Sequence, residues 1–307
     1  MKEPFIIGLD IGGTNIRIGA KQARADGLCA HKKVPTETVL NGSGVIEPLA
    51  VFIEDFARDC LGGGTVEAVS IGFPATVNKA KTTVLQAPNI PGLSEVAITE
   101  PLGKRLAAKV FIEKDVNLLI KWDMHRLGIP GDGICVGIYA GTGIGNAIVL
   151  NGTPLAGKDG VAGELGHIPV VGLASTCGCG NKGCAECCAA GVRLRAIGQS
   201  HFPDTGIAEL FSKHAEAPVI RQFIDALACV IAAEINILNP DCIVLGGGVV
   251  NMANFPKDVL NELIFAHARK PYPAMSLHIV YADDSAENGV LGAVLLAEEK
   301  LTEEGSI

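Results

Sequence analysis

The chain has 307 residues, of which 48% are hydrophobic and 19% charged, and its formal net charge is −8. This length suffices for two domains with substantial cores, because single cores rarely grow beyond about 250 to 300 residues. The acidic balance argues against a nucleic-acid partner, since binding to a phosphate backbone needs a basic face. No apolar run reaches the roughly 18 residues of a membrane span, and residues 1–10 enter a strand without a signal-peptide core. We therefore expect a cytoplasmic protein with no membrane partner.

Two segments of the chain repeat one pattern. Residues 5–20 (FIIGLDIGGTNIRIGA) and 134–149 (ICVGIYAGTGIGNAIV) each read as an apolar strand, a turn with glycine and threonine, and a second apolar strand. Each pattern predicts a β-hairpin. One such unit at the start of each half predicts two similar α/β lobes that face each other across a cleft. We place a smaller lobe at 1–118 and a larger lobe at 119–287, with a helix at about 288–303 packing back on the first.

The second half of the chain alternates further helices and strands. Apolar residues at helical spacing predict a buried helix over 219–238, which Pro240 stops. The elements expected after it are a strand over 242–245, a triple-glycine turn, a helix over 256–269 and a strand over 277–282.

The turn of the first hairpin has the composition of a phosphate-binding loop. Asp10 ends a strand, Gly12 and Gly13 carry no side chain that would block a phosphate, and Thr14 and Asn15 add donors. An acid beside such a turn can hold Mg²⁺ through water, whereas the alternative is a plain hairpin turn with an incidental aspartate. The second turn, at 140–145, offers backbone amides and the hydroxyl of Thr142. Two anion-binding turns and an acid favour a nucleoside triphosphate.

Asp115 is the candidate catalytic base. It follows the predicted strand 110–112, and open α/β sheets place their ligands at the carboxyl ends of strands. A carboxylate in that position can accept the proton of an attacking hydroxyl during phosphoryl transfer. The alternative is that Asp115 only caps the helix that follows it.

The segment 167–184 contains the strongest metal-site pattern of the chain. One imidazole and three thiols occur within it, at His167, Cys177, Cys179 and Cys184. Structural zinc sites take four tetrahedral nitrogen or sulfur ligands, and the intervening glycines permit the tight turns that such ligands need. The sequence therefore predicts a structural Zn²⁺ site, and the metal would also hold Glu164 and His167 in place.

Eight segments together resemble the ROK family of sugar kinases, in the right order and over nearly the whole chain. They are LDIGGTNIR at 9–17, GFPATV at 72–77, PNIPG at 88–92, EKDVN at 113–117, GTGIGNAIVLNG at 141–152, GVAGELGHIP at 160–169, CGCGNKGCAE at 177–186 and DCIVLGGGV at 241–249. The resemblance implies a two-lobed, actin/hexokinase-like (ribonuclease H-like) α/β fold and a homodimer. The strings GFPATV, PNIPG and DVNLLIKWD look closer to D-allose kinases than to the family's glucokinases.

The resemblance also implies a role for individual residues. Asp115 would be the base, and Asp10, Gly12, Gly13 and Thr14 would face the phosphates of ATP. The second phosphate loop would be Gly141, Thr142 and Gly143, and the residues near the adenosine would be Gly246, Gly247 and Gly248. The sugar hydroxyls would be bound by Asn89, Glu164, His167 and Glu186, with His167 using one ring nitrogen for zinc and the other for sugar.

Lys114 departs from the family pattern, because an asparagine that binds a sugar hydroxyl precedes the base in most members. A lysine is longer and only donates hydrogen bonds, so it favours a different hydroxyl geometry. A basic residue at this position also occurs in the allose kinases that the chain resembles. The resemblance therefore implies ATP- and Mg²⁺-dependent phosphorylation of an aldohexose at its primary 6-hydroxyl, with D-allose as the substrate. The alternatives are a glucokinase, fructokinase or N-acetylmannosamine kinase of this family, and a non-catalytic sugar sensor. A repressor of this family is not expected, because it would need a DNA-binding helix-turn-helix segment before the strand that contains LDIGGTN, and too few residues precede that strand.

Overall fold

The structure is a computed structural model that describes residues 4–23, 25–42 and 44–305. The chain forms two compact units. Unit 1 comprises the described residues up to Gly128, with Ala156–Ala162 and the residues from Ser285 on, and unit 2 comprises Ile129–Leu155 and Gly163–Asp284. The division after Gly128 differs from the expected boundary at 118, because one continuous helix crosses that position and ends where Gly128 takes a left-handed φ of 64°.

Among its described residues, unit 1 has eight strands and three α-helices before the chain enters unit 2. They are β1 (Phe5–Ile11), β2 (Asn15–Gln22), β3 (Ala30–Pro35), α1 (Ile46–Cys60), β4 (Val66–Phe73), β5 (Thr76–Val77), β6 (Thr83–Gln86), β7 (Val96–Ala97), α2 (Thr99–Leu106), β8 (Lys109–Lys114) and α3 (Asp115–Leu127). The main sheet has the order β3-β2-β1-β4-β8, and β5, β6 and β7 form a small separate sheet.

The register of the main sheet of unit 1 aligns the residues that matter for the site. β1 and β2 form the predicted antiparallel hairpin, in which Asp10 pairs with Arg17. β1, β4 and β8 run parallel, so Asp10 lies level with Gly72, and Gly72 lies level with Glu113. The carboxyl ends of parallel strands meet at one edge of a sheet, and that edge carries both the first turn and Asp115.

Unit 2 repeats the topology of unit 1. Its elements are β9 (Ile134–Ala140), β10 (Ile144–Leu150), β11 (Thr153–Pro154), α4 (Glu186–Ala189), α5 (Gly191–His201), α6 (Leu210–His214), α7 (Pro218–Leu238), β12 (Cys242–Gly246), α8 (Lys257–His267) and β13 (Ile279–Tyr281). The sheet order is β11-β10-β9-β12-β13, with β9 and β10 antiparallel and β9, β12 and β13 parallel. The predicted duplication of a hairpin-led α/β domain is confirmed, as are the predicted helix and strand positions after residue 218.

The last helix, α9 (Asn288–Glu303), packs on the sheet of unit 1. A Cβ added to Gly8 on β1 would lie 2.4 Å from the carbonyl oxygen of Val290. A Cβ added to Gly292 would lie 2.0 Å from the carbonyl oxygen of Leu118 on α3. Such close backbone approaches need glycine, and they fix α9 between β1 and α3.

Each unit has its own apolar core. In unit 2, α7 buries one continuous apolar face that includes Phe223, Leu227 and Ile231. In unit 1, α1 and α2 cover one face of the sheet, and α9 covers part of the other. None of the helices within the described ranges is long and apolar enough to cross a membrane.

Candidate functional site

The first turn, between β1 and β2, is held in shape by hydrogen bonds from its own backbone and from Thr36. The amide of Gly12 donates to the carbonyl oxygen of Asn15 at 2.8 Å. The hydroxyl of Thr36 donates to the carbonyl oxygen of Gly12 at 2.6 Å. The backbone amide of Thr36 donates to the carbonyl oxygen of Thr14 at 2.9 Å. Gly13 and Thr14 are exposed at the tip. The turn is therefore preorganised and accessible, as an anion-binding loop requires.

Asp10 is paired with Arg17 across the hairpin. Nη1 of Arg17 donates to Oδ2 of Asp10 at 2.9 Å. Burial nevertheless raises the pKa of Asp10, against the opposing effect of the Arg17 charge. Arg17 was not among the predicted site residues. The hairpin register would have revealed it, because a four-residue connection at 12–15, between the paired Ile11 and Ile16, places residues 10 and 17 opposite each other.

Asp115 is the first residue of α3 and directly follows β8. Burial, and next the charge of Asp10, raise the pKa of Asp115 to about 7. Its Oδ1 accepts a hydrogen bond from the amide of Val116 at 2.8 Å, so it also satisfies a donor of the first helical turn. The capping role and the role of base are compatible, because a carboxylate has two oxygens.

Glu113 is a buried carboxylate that the sequence analysis did not single out. Its Oε1 accepts hydrogen bonds from the backbone amide of Lys114 at 2.8 Å, from Nδ2 of Asn117 at 2.9 Å and from Nζ of Lys81 at 2.5 Å. The network joins the end of β8 to the first turn of α3 and therefore fixes the backbone on both sides of Asp115. The only sequence signal was an acid two residues before the candidate base.

Asn89 and Lys114, two predicted sugar ligands, both belong to unit 1. Asn89 is exposed and lies against the first turn, where a Cβ on Gly13 would be 3.4 Å from the Cβ of Asn89. Lys114 is 8% exposed, and its Nζ donates to the carbonyl oxygen of Ala162 at 3.3 Å. The amine of Lys114 is therefore held in one direction by the protein itself.

The second turn, between β9 and β10, is attached to the N-terminus of α5. The amides of Gly191 and Val192 donate to the carbonyl oxygens of Gly141 and Thr142 at 2.8 and 3.0 Å. Within the turn, the amide of Gly141 donates to the carbonyl oxygen of Gly143 at 2.9 Å. A Cβ on Gly143 would lie 2.5 Å from Oε2 of Glu186, so a glycine at position 143 leaves room for the carboxylate of Glu186 where it lies in the structure.

The triple glycine after β12 has three different environments. Gly246 is the last strand residue, and a Cβ there would lie 3.0 Å from both Tyr139 and Ala282. Gly247 has a φ of 90° and lies against the backbone of Ala140. Gly248 faces open space. Of the three predicted adenosine neighbours, only Gly248 therefore offers an unobstructed surface.

Glu164, His167 and Glu186 lie close together in unit 2. Nε2 of His167 is 3.9 Å from Oε2 of Glu164, and Nδ1 of His167 is 3.9 Å from Oε1 of Glu186. The two carboxylates thus lie near opposite ring nitrogens. Together these side chains offer several acceptors and one ring donor, a set suited to neighbouring hydroxyl groups.

The four predicted zinc ligands converge, with one donor atom from each lying within 4.8 Å of the others. Sγ of Cys177 is 3.6 Å from Nδ1 of His167, and Sγ of Cys179 is 3.6 Å from Sγ of Cys184. Bonds of roughly 2.0 to 2.3 Å in a tetrahedral site imply donor separations of roughly 3.3 to 3.8 Å. The donor set and its spacing therefore fit a zinc ion bound through Nδ1, which leaves Nε2 of His167 beside Glu164.

Comparisons with known proteins identify relatives along almost the full chain. The profile of the ROK family matches residues 6–300. A glucokinase of Thermotoga maritima is 28% identical over 96% of this chain and 98% of its own length. An N-acetyl-D-glucosamine kinase of Salmonella typhimurium is 30% identical over 83% of this chain and 88% of its own. The crystal structure of a ROK family glucokinase from Streptomyces griseus, in complex with glucose and AMPPNP, superposes with a TM-score of 0.76 at 25% identity, over 96% and 99% of the two chains.

Proposed function

The chain belongs to the ROK family of sugar kinases, and on that premise we propose that it transfers the γ-phosphoryl group of ATP to the primary 6-hydroxyl of an aldohexose, with D-allose as the substrate. The observation that carries the proposal is the position of Asp115 at the carboxyl end of β8 with a pKa raised to about 7. A carboxyl with that pKa is not fully protonated at neutral pH, so its ionised form can accept the proton of the hydroxyl.

In the proposed reaction, one oxygen of Asp115 takes the proton of the 6-hydroxyl as the oxygen of that hydroxyl bonds to the γ-phosphorus. The bond from this phosphorus to the β,γ-bridging oxygen breaks, and ADP leaves. Such transfers need little covalent help from the protein, so positioning and charge neutralisation lower most of the barrier. The network of Glu113 supports the positioning, because it immobilises the backbone that carries Asp115.

The two glycine turns are the proposed phosphate-binding elements. Each turn accepts hydrogen bonds from a residue outside it. Thr36 donates to the first turn, and the amides at the N-terminus of α5 donate to the second. In this proposal Asp10 would hold the Mg²⁺ that accompanies ATP through water, and Arg17, which donates to Asp10, would limit the negative charge that Asp10 presents to the ion. Thr14, Asn15 and Thr142 would add donors to the phosphates.

The proposed sugar ligands are Asn89, Lys114, Glu164, His167 and Glu186. In unit 2, the zinc ion would be held by His167, Cys177, Cys179 and Cys184, and it would fix the orientation and tautomer of His167. If the ion were bound by Nδ1, the ring proton of His167 would lie on Nε2, which could then donate to a sugar hydroxyl or to Glu164. Burial raises the pKa of the Cys177 thiol, so the metal must displace a proton and should bind more tightly as the pH rises.

The choice of D-allose depends on Lys114 and on the segments that resemble allose kinases. Glucose and N-acetyl-D-glucosamine are the substrates named for two relatives, so they are the leading alternatives. An asparagine both donates and accepts, whereas the buried amine of Lys114 only donates. A sugar hydroxyl that contacts Lys114 must therefore accept its hydrogen bond. The enzyme should prefer the sugar epimer whose hydroxyl is oriented toward the amine of Lys114.

The test is ADP release from MgATP with D-allose, D-glucose, D-mannose, D-fructose, N-acetylglucosamine and N-acetylmannosamine. We expect the highest kcat/KM with D-allose. A higher value with any other sugar would overturn the substrate assignment and leave the kinase assignment standing. Absence of ADP release with every sugar would refute the proposed reaction.

The variant Lys114→Asn tests the residue that underlies the substrate choice. It should lower the ratio of kcat/KM for D-allose to that for D-glucose by about tenfold or more, because a lost or gained hydrogen bond in a buried site discriminates at that level. Lys104→Asn is the matched control, since Lys104 is exposed on α2 and forms an ion pair with the exposed Glu100 of the same helix. An unchanged ratio in Lys114→Asn would show that Lys114 does not select the sugar.

A further inference from the structure

A second group of metal-ligating side chains lies on the surface of unit 2, where α7 meets α8. It consists of Asp225 and Cys229 on α7 and His267 on α8, with one donor atom of each within 4.8 Å of the others. Cys229 and His267 are exposed, and Asp225 is half-buried. The group shares no residue with the cysteine cluster at 167–184 or with the proposed kinase site.

The backbone holds these three side chains in fixed positions. Asp225 and Cys229 are four residues apart on α7, so they project from the same face of that helix. His267 is the last residue of α8, which is anchored by the fully buried Leu260 and Ile264. Preorganised donors bind an ion without the cost of ordering a loop.

Asn236 locks the end of α8 against α7. Its Nδ2 donates to the carbonyl oxygen of His267 at 3.4 Å, and its Oδ1 accepts from the amide of Arg269 at 2.8 Å. The backbone of His267 is therefore tied to the same helix that carries Asp225 and Cys229.

Nε2 of His267 lies 2.7 Å from Oδ1 of Asp225, which is a hydrogen bond between the two side chains. That bond orients the imidazole edge toward α7, on the side where the thiol of Cys229 lies. Donors that share one metal ion lie roughly 3 Å or more apart, so a small rotation of either side chain opens the pair enough to admit an ion. The bond alone accounts for the carboxylate and the imidazole, and it leaves the nearby thiol without a role.

We propose that Asp225, Cys229 and His267 form a second metal site, which takes a divalent transition-metal ion such as Zn²⁺ or Co²⁺. One carboxylate oxygen, one thiolate and one imidazole nitrogen suit these borderline ions, whereas Mg²⁺ and Ca²⁺ prefer oxygen ligands alone. The exposed position leaves the remaining coordination place to water. An ion bound there links α7 to α8 at the surface of unit 2.

Binding releases the proton of the Cys229 thiol to solvent, and the proton that Nε2 of His267 donates to Asp225 in the free protein is replaced by one on Nδ1, so that Nε2 can bond to the metal. Partial desolvation by the surrounding protein, and next the charge of Asp225, raise the pKa of the Cys229 thiol. The ion therefore competes with a proton for the sulfur, and binding should release about one proton per ion near neutral pH.

The test is a Co²⁺ titration of the full chain after its zinc content has been measured and the protein has been brought to one equivalent of Zn²⁺. A thiolate ligand gives Co²⁺ a sulfur-to-metal charge-transfer band in the near ultraviolet, and tetrahedral coordination gives visible d–d bands. The variants are Cys229→Ser and His267→Gln. Cys60→Ser is the control, because Cys60 is also an exposed cysteine but lies in unit 1.

We expect the wild-type protein and Cys60→Ser to bind one equivalent of Co²⁺ with both sets of bands, without release of the bound zinc. Cys229→Ser should lose the charge-transfer band, and His267→Gln should bind at least about tenfold more weakly, since even indirect changes around a metal cost about that much. Absence of a cobalt equivalent in wild type, or a charge-transfer band that persists in Cys229→Ser, would overturn the proposal.

Discussion

Asp115 offers the sharpest test of the proposed reaction, through the pH dependence of catalysis. A base with a pKa of about 7 is about one-tenth ionised at pH 6 and about nine-tenths ionised at pH 8. We therefore expect kcat/KM for the sugar, at saturating MgATP, to rise about tenfold between these pH values. Asp115→Asn removes the proposed base and should lower kcat by about 10² to 10⁴, the usual contribution of a positioned base.

The cause of the raised pKa can be tested in the same assay. The charge of Asp10 is the second contributor after burial, and it favours the protonated form of Asp115. Asp10→Asn should therefore move the acid limb of the kcat/KM profile to lower pH, whatever it does to the maximum rate. Asp204→Asn, an exposed acid in unit 2, is the control and should leave the limb in place.

Folding stability gives a second readout of Asp115 that does not depend on turnover. Because burial raises the pKa of the folded carboxyl, the unfolded chain loses this proton first as the pH rises, and stability falls between about pH 4 and pH 7. Asp115→Asn should therefore be more stable than wild type at pH 8 and no more stable at pH 4, as measured by urea unfolding. Near-normal turnover in Asp115→Asn with normal sugar binding, or an acid limb centred near pH 4, would refute the assignment of the base.

Three further predictions concern unit 2 and the packing of α9. Glu234 is 5% exposed on α7, accepts a hydrogen bond from Asn146 at 2.9 Å, and has a pKa that burial raises from 4.5 to about 7. The two pKa values differ by about 2.5 units, and each unit corresponds to about 1.4 kcal/mol. Glu234→Gln should therefore stabilise the fold by about 3 kcal/mol at pH 8, and it should flatten the fall in stability between about pH 4.5 and 7 that urea unfolding measures. An unchanged pH dependence of stability would contradict this. Gly292→Ala should destabilise the protein by about 3 kcal/mol in thermal unfolding, because the new methyl group would overlap the carbonyl oxygen of Leu118. Gly206→Ala is the control and should destabilise far less, because the nearest atom to its new methyl group lies 3.6 Å away. Metal analysis of protein purified without added metal should give about one equivalent of zinc, and a chelator that removes it should lower both the Tm and the activity; a zinc-free protein with an unchanged melt would exclude a structural zinc ion.

Much of the architecture was predictable because it follows from local patterns. Strand periodicity and glycine placement at 5–20 and 134–149 predicted both hairpins, and the apolar spacing over 219–238 predicted α7. The convergence of the four proposed zinc ligands was also predictable, since close spacing in sequence with intervening glycines brings their donors together. The division between the compact units lies after Gly128 and not at the predicted 118, because α3 runs without a break from Asp115 to Leu127 and ends at Gly128.

The amino-acid sequence by itself determined which chemical groups the protein possesses: two glycine turns, an acid after a strand, and a cysteine and histidine cluster. The tertiary structure alone decided the environment of those groups. Burial and the nearby charge of Asp10 raise the pKa of Asp115, and Glu113 becomes a buried anchor only because Lys81, Lys114 and Asn117 converge on it. The physical reason is that desolvation and electrostatic interaction depend on distances between residues far apart in the chain, and those distances exist only once the sheets and helices have packed.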